Sequence, residues 1–221
     1  IARDADFRSS TPATVDIQPG VTNSALDLEI HDGSHVFMLR PGSSVEITDE
    51  VEIGDSGAAS LTLTGPGTLM GRGTQFTVGH KGSVDNVGTL RVEERATVDW
   101  SNGFVRVGRG LSDLPIPGHL EVVTGGQMIL SGSSLQVGLN GPGTLDLSGS
   151  GSMIALGGDS DESGTNDLLI GSAASGSVVV KQQAVLSGID ELVVGNGSLA
   201  SLSVLSGGSV RVAGPRIVVN G

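Results

Sequence analysis

Residues 60–79 read Ser60-Leu-Thr-Leu-Thr-Gly-Pro-Gly-Thr-Leu-Met-Gly-Arg-Gly-Thr-Gln-Phe-Thr-Val-Gly79. Apolar and polar residues alternate in three short segments, around Leu61 and Leu63, around Leu69, and around Phe76 and Val78. A period of two belongs to a half-buried β-strand, and the glycines between the segments belong to corners. The closing strand and its Gly recur along the chain. They appear as Val51-Glu-Ile-Gly54, Phe76-Thr-Val-Gly79, Val105-Arg-Val-Gly108, Leu135-Gln-Val-Gly138, Leu168-Leu-Ile-Gly171 and Leu192-Val-Val-Gly195. Ile217-Val-Val-Asn220 closes the series with Asn in the Gly place, and the spacings run from 24 to 33 residues. A period in that range marks a stacked repeat architecture.

Each interval holds two further strand signals, for example Thr89-Leu-Arg-Val92 and Ala96-Thr-Val-Asp-Trp100 before Phe104-Val-Arg-Val-Gly108. Three strands per repeat imply a coil with three faces. Every rung would lie parallel on its neighbour about 4.8 Å away, with alternate side chains stacking inward. One rung cannot bury its apolar row alone, so the repeats must stack. Parallel crossovers favour the right hand. The expected fold is all-β, a right-handed parallel β-helix (a three-faced β-solenoid) of about seven rungs over residues 35–221, preceded by an irregular, cap-like segment over 1–34. A propeller needs four strands and about 40 residues per blade, which this spacing does not supply.

Composition agrees. Gly is 36 of 221 residues, Tyr and Cys are absent and Trp occurs once, so the core is aliphatic and the corners are many. The formal charge of −12 is divided evenly: residues 1–110 hold 9 basic and 15 acidic groups, residues 111–221 hold 3 and 9. An acidic, aromatic-poor surface repels phosphate backbones, which argues against nucleic acid as a partner. Without cysteine there is neither a disulfide framework nor a thiol metal site. No apolar run approaches the roughly 20 residues that span a bilayer, so this segment is not expected to insert into a membrane. No signal peptide opens the chain, which runs from Ile1 to a mid-repeat Gly221, and the expectation is a piece of a longer protein.

The order Leu-x-Ile/Val-Gly, a polar stretch, Gly-x-Leu-x-Val, a Gly-rich turn and x-Val-x-Val is clearest in Gly195-Asn-Gly-Ser-Leu-Ala-Ser-Leu-Ser-Val-Leu-Ser-Gly-Gly-Ser-Val-Arg-Val212. It resembles the repeat of bacterial type V autotransporter passengers and PEP-CTERM-associated surface proteins, over roughly residues 44–221. The resemblance implies export to the surface of a Gram-negative bacterium, usually for adhesion. Neither a C-terminal membrane barrel nor the Asn-Pro-Asn-Leu and Asn-Pro-Asn-Gly motifs of two-partner secretion accompany it here.

Several local patterns admit sharper chemistry. Gly54-Asp-Ser-Gly57 resembles the nucleophile segment of chymotrypsin-like proteases, with His31, His35 and Asp49 as conceivable partners. Gly54, however, is the repeat Gly, so the motif reads as one corner among seven. Asp159, Asp161, Glu162 and Asp167 are oxygen ligands of the kind calcium takes, yet their spacing is not that of an EF-hand and the plain reading is a solvated acidic loop. Glu121 and Asp146 fall on equivalent outward positions of adjacent rungs, about 5 Å apart, near the separation of a retaining glycosidase pair. The chain lacks the aromatic platforms that sugars stack on. His31, His35, His80 and His119 show no ligand spacing and are expected as exposed or corner residues. Regular outward Thr rows, as on an ice-binding solenoid, are limited to Thr62 and Thr77.

The outward row of the third strand reads Glu52, Thr77, Arg106, Gln136, Leu169, Val193, Val218. It turns from polar to apolar at Leu169, and Val179 is apolar on the outward side of another strand. Adjacent apolar residues on an outer face mark either intrachain cover or a partner site. The functional expectation is a surface-displayed passenger segment that binds a host surface protein or glycan, or itself, through Leu169, Val193, Val218 and Val179, with no catalytic residue, metal or cofactor. The alternative is a polysaccharide hydrolase or lyase on the same fold.

Overall fold

The computed structural model describes residues 4–8, 10–80, 87–110, 114–157 and 166–220. Its strands build three faces of a right-handed parallel β-helix. The first face is one eight-stranded sheet: Ala13–Ile17, Gly33–Leu39, Ala59–Thr64, Gly88–Val92, Gly118–Val123, Gly143–Ser148, Gly176–Lys181 and Ala200–Val204. The second face stacks Thr22–Ala25, Ser44–Ile47, Thr68–Gly71, Thr97–Ser101, Gln127–Ser131 and Met153–Leu156. The third stacks Ala5–Phe7, Leu28–Ile30, Glu50–Ile53, Gln75–Val78, Phe104–Val107, Ser134–Val137 and Leu168–Ile170. Two long strands, Val185–Val194 and Ser209–Val219, turn the corner and serve both of these faces. Among the described residues no helix is long and apolar enough to cross a membrane.

The coil has eight rungs, one more than the seven expected, numbered here 1 to 8 from the N-terminus. The additional rung lies within residues 1–34. Ala13 pairs with His35, Thr22 with Ser44 and Leu28 with Val51, each strand in register with its successor. Its apolar rows are short and broken by Asn23, Ser24 and Asp27, which hid it from a reading based on Leu/Val runs.

Inward side chains stack like on like. Leu61, Leu90, Leu120, Leu145 and Val178 form one file of the first face. Val51, Phe76, Val105, Leu135, Leu168 and Leu192 form one of the third. All of these are buried. The lone Trp100 sits directly above Gly71 and meets Phe76 edge-on at 5.2 Å, and a Cβ on Gly71 would collide with its indole. Rung 4 holds a large ring because rung 3 leaves that place empty.

The recurring Gly has a backbone cause. Gly79 has φ +78° and Gly138 φ +81°, and a Cβ at either would press on the backbone of the next rung, at Pro117 and at Ser175. Rung 1 carries His31 in that slot, outside the left-handed region, so the corner there can bear a side chain.

Candidate functional site

Two columns of outward-facing residues run up the third face. The mid-strand column is Glu29, Glu52, Thr77, Arg106, Gln136, each in register with the next. The corner column, two residues beyond each strand end, is Asp32, Asp55, His80, Arg109. Both run from acidic to basic over rungs 1 to 4. Stacking brings residues 23 to 34 positions apart in sequence into hydrogen-bond range, as in Gln75 with Glu52 and Arg109 with Gln75.

One connected polar network results. The Nε2 of His31 lies 2.7 Å from Glu29 Oε2 and 3.3 Å from Asp6 Oδ1. Its Nδ1 lies 3.0 Å from Asp55 Oδ2 and 3.2 Å from Ser56 Oγ. Asp55 also faces the next rung, where its Oδ1 is 3.6 Å from His80 Nδ1, and Glu52 Oε1 is 2.7 Å from that same nitrogen. On the far side of the ring, Arg109 Nη1 donates to His80 Nε2 and to Gln75 Oε1, both at 2.7 Å. Gln75 donates to Glu50 at 2.6 Å and to Glu52 at 3.3 Å. Arg106 extends the network to Gln136 at 3.2 Å while lying over the Phe104 ring. Burial, then the neighbouring Arg109, pull the Arg106 guanidinium below its ordinary value.

The histidines were expected as exposed or corner residues, and His31 and His80 do stand at corners, though not exposed. His31, His35 and His80 are all buried, as are Glu52 and Thr77. For His31 and His80 the acidic neighbours come largely from other rungs, Asp55 to both and Glu52 to His80, with Glu29 two residues from His31 along the chain. Two groups have the composition and closeness to hold a metal ion: Asp6, Glu29 and His31, and Glu52, Asp55 and His80. The corner column was open to reading once the strands were aligned, because Asp55, His80 and Arg109 fall at the same offset after successive third strands.

Ser56 of Gly54-Asp-Ser-Gly57 does meet a histidine, but not as a nucleophile meets a base. The nitrogen facing its hydroxyl also lies 3.0 Å from the Asp55 carboxylate, and the other nitrogen faces Glu29, so both ring nitrogens face carboxylates. A general base must keep a lone pair for the hydroxyl. His35 donates instead to the Asp32 carbonyl, and Asp49 lies against Thr74.

On the first face, Glu121 and Asp146 stack in one file, as read from the sequence, with Arg91 below and Val179 above them. The two carboxylates are separately engaged. Glu121 accepts from Arg91 and, at 2.9 Å, from His119, while Asp146 accepts from Lys181 at 2.6 Å. Burial alone would raise the Glu121 carboxyl, but the hydrogen bonds from His119 and Arg91 hold it below its ordinary range.

The apolar row is aligned as expected: Gln136 pairs with Leu169, Leu169 with Val193 and Val193 with Val218. It is not an open strip. Val193 is 7 % exposed, and Leu169, Val218 and Val179 are half-buried. The largest apolar exposure among the described residues is on rung 8, where Leu199 is 86 % exposed. Asp159, Asp161 and Glu162 of the acidic loop lie outside the described residues. Asp167, at its end, has its carboxyl raised by burial and by the charge of Glu191. No protein-family model, curated protein or solved structure matches this chain.

Proposed function

We propose that this chain is a surface-displayed segment of a secreted Gram-negative protein that contributes to adhesion to host cells, matrix or other bacteria. The observation carrying the reading is the dressing of its outward rows. Cross-rung side-chain pairs run the length of the coil: Asp16 with Arg40, Arg91 with Glu121, Arg106 with Gln136, Asp146 with Lys181, Glu191 with Arg216. A rod laced in this way presents long contact surfaces in place of one convergent pocket. A recess of about 290 Å³ between rungs 6 and 8 is lined by Pro142, Thr144, Ser177, Leu199 and Ser201 among others, with no charged side chain. Its volume is at the small end of ligand pockets.

The carbohydrate-active alternative needs one carboxyl group poised to give up a proton. Glu121, held below its ordinary range, is a poor donor, and Asp146 is tied to Lys181. The test presents the purified chain to matrix-protein, host-cell and glycan arrays and scores aggregation of bacteria displaying it. Saturable binding or aggregation is expected. Release of oligosaccharides from a polysaccharide panel, or silence on every array together with no aggregation, overturns the proposal.

A further inference from the structure

We propose that the third corner of rungs 2 and 3 binds a divalent transition-metal ion through Glu52, Asp55 and the Nδ1 atom of His80. Ligand atoms of these three residues lie within 4.8 Å of one another. His80 is 3 % exposed, and its Nδ1 makes no hydrogen bond although Glu52 Oε1 is 2.7 Å away and Asp55 Oδ1 3.6 Å. The contact is close, yet off the line a proton requires. Donor atoms that share one ion at about 2.1 Å, at tetrahedral or right angles, stand roughly 3.0–3.4 Å apart. The two observed separations straddle that range.

A second buried atom points the same way. Thr77, fully buried and in register with Glu52, leaves its hydroxyl without a hydrogen-bond partner. A water held by an ion at this corner would give that hydroxyl a partner. Glu52 is 2 % exposed and accepts from Gln75 at 3.3 Å, and an ionised carboxylate has further lone pairs to offer an ion beside that bond. One imidazole nitrogen with carboxylate oxygens suits Zn²⁺ or Mn²⁺ better than the all-oxygen shells of Ca²⁺ and Mg²⁺.

Arg109 sets the terms of occupancy. Donating to Nε2, it keeps the ring proton on Nδ1, the nitrogen the ion needs. Loading moves that proton to Nε2 and turns Arg109 into a repelled neighbour, left with Gln75 Oε1 as its acceptor. The ion and the Arg109–His80 bond exclude one another. The adjacent group of Asp6, Glu29 and His31 differs, because both His31 nitrogens already have hydrogen-bond partners.

Calorimetric titration of the chelator-treated chain with Zn²⁺ tests the site. One equivalent is expected. Glu52→Gln and His80→Gln should each weaken binding more than roughly 100-fold, and His31→Gln less than about tenfold. Arg109→Gln should tighten it by about tenfold, an effect that a purely structural network would not produce. Absence of binding, or wild-type affinity in both Glu52→Gln and His80→Gln, overturns the proposal, as does displacement of Zn²⁺ by equimolar Ca²⁺. Should those variants fail to fold, X-ray absorption at the zinc edge of the loaded wild-type chain decides. One imidazole among oxygen ligands supports the site, and an oxygen-only or two-imidazole shell refutes it.

Discussion

Rungs 2 to 4 and rungs 6 to 8 hang opposite chemistry on the same strand. In the lower stretch the outward slot holds Glu52, Thr77 and Arg106; in the upper it holds Leu169, Val193 and Val218. The inward files beneath are alike in both, Val51, Phe76 and Val105 against Leu168 and Leu192, and the pairing is parallel throughout. Backbone ladder and inward rows therefore hold the coil, while the outward slot is free to be charged or apolar. Burial does not follow that division: Glu52 is more deeply covered than Val193. The lower stretch compensates its buried charge with a network, and the upper stretch needs none.

The sharpest way to break the comparison is to give the lower stretch the upper one's chemistry. Glu52→Val removes the carboxylate beside His80 and one of the two acceptors of Gln75, and is expected to cost about 2–3 kcal/mol in denaturant unfolding, as an uncompensated change in a buried polar network does. Adding His80→Leu should restore much of it, since neither member of the pair is then left behind and Arg109 keeps Gln75 Oε1 as its acceptor. If Glu52→Val alone is neutral, the network does not support the corner.

The converse exchange is milder. Val193→Glu introduces a carboxylate at a covered position without a cationic neighbour in its file, between Leu169 and Val218. A loss of about 1–3 kcal/mol is expected, while Leu169→Glu, half-buried, should cost less than about 1 kcal/mol. Equal losses at the two sites would show that the cover is not local to Val193. If adhesion runs through this row, both variants also abolish array binding.

The smallest effect separates Glu121 of rung 5 from Asp167 of rung 6 by the sign of the pH response. Glu121, held low by His119 and Arg91 against the pull of burial, adds stability that is present above the ordinary carboxylate range and fades as pH falls through its lowered value. Asp167, raised by burial and by Glu191, does the reverse: its ionisation costs stability, relieved as pH falls through its raised value. Melting curves between about pH 7 and pH 3 should show Glu121→Gln below wild type at neutral pH and converging in acid. Asp167→Asn should lie above wild type at neutral pH and converge likewise. Each difference is about 0.5 kcal/mol, as screened, partly exposed charges allow. A shared sign would refute the assignment.

Much of the fold was readable because inward positions repeat. Leu61, Leu90, Leu120 and Leu145 each sit in an alternating run, and the strand runs fell where the structure has strands. Rung 1 was missed because polar Thr22, Asn23 and Ser24 make up most of its second strand, leaving Ala25 as its one core side chain. The apolar file through Leu169 was visible, and its cover was not. The His80 corner was invisible for a further reason. A single-chain reading looks for ligands at short spacings, and here the partners are one rung away.

By itself, the sequence determined the period, the inward apolar rows and the Gly corners, because strand alternation and left-handed turns are local requirements of the chain. Tertiary stacking alone decided which side chains meet across rungs. Asp55 stands between His31 and His80 only because two corners of unequal loop length were brought into register by their strands. Contacts of that kind are set by pairing geometry and by what neighbouring rungs leave exposed, and neither is written at any one position.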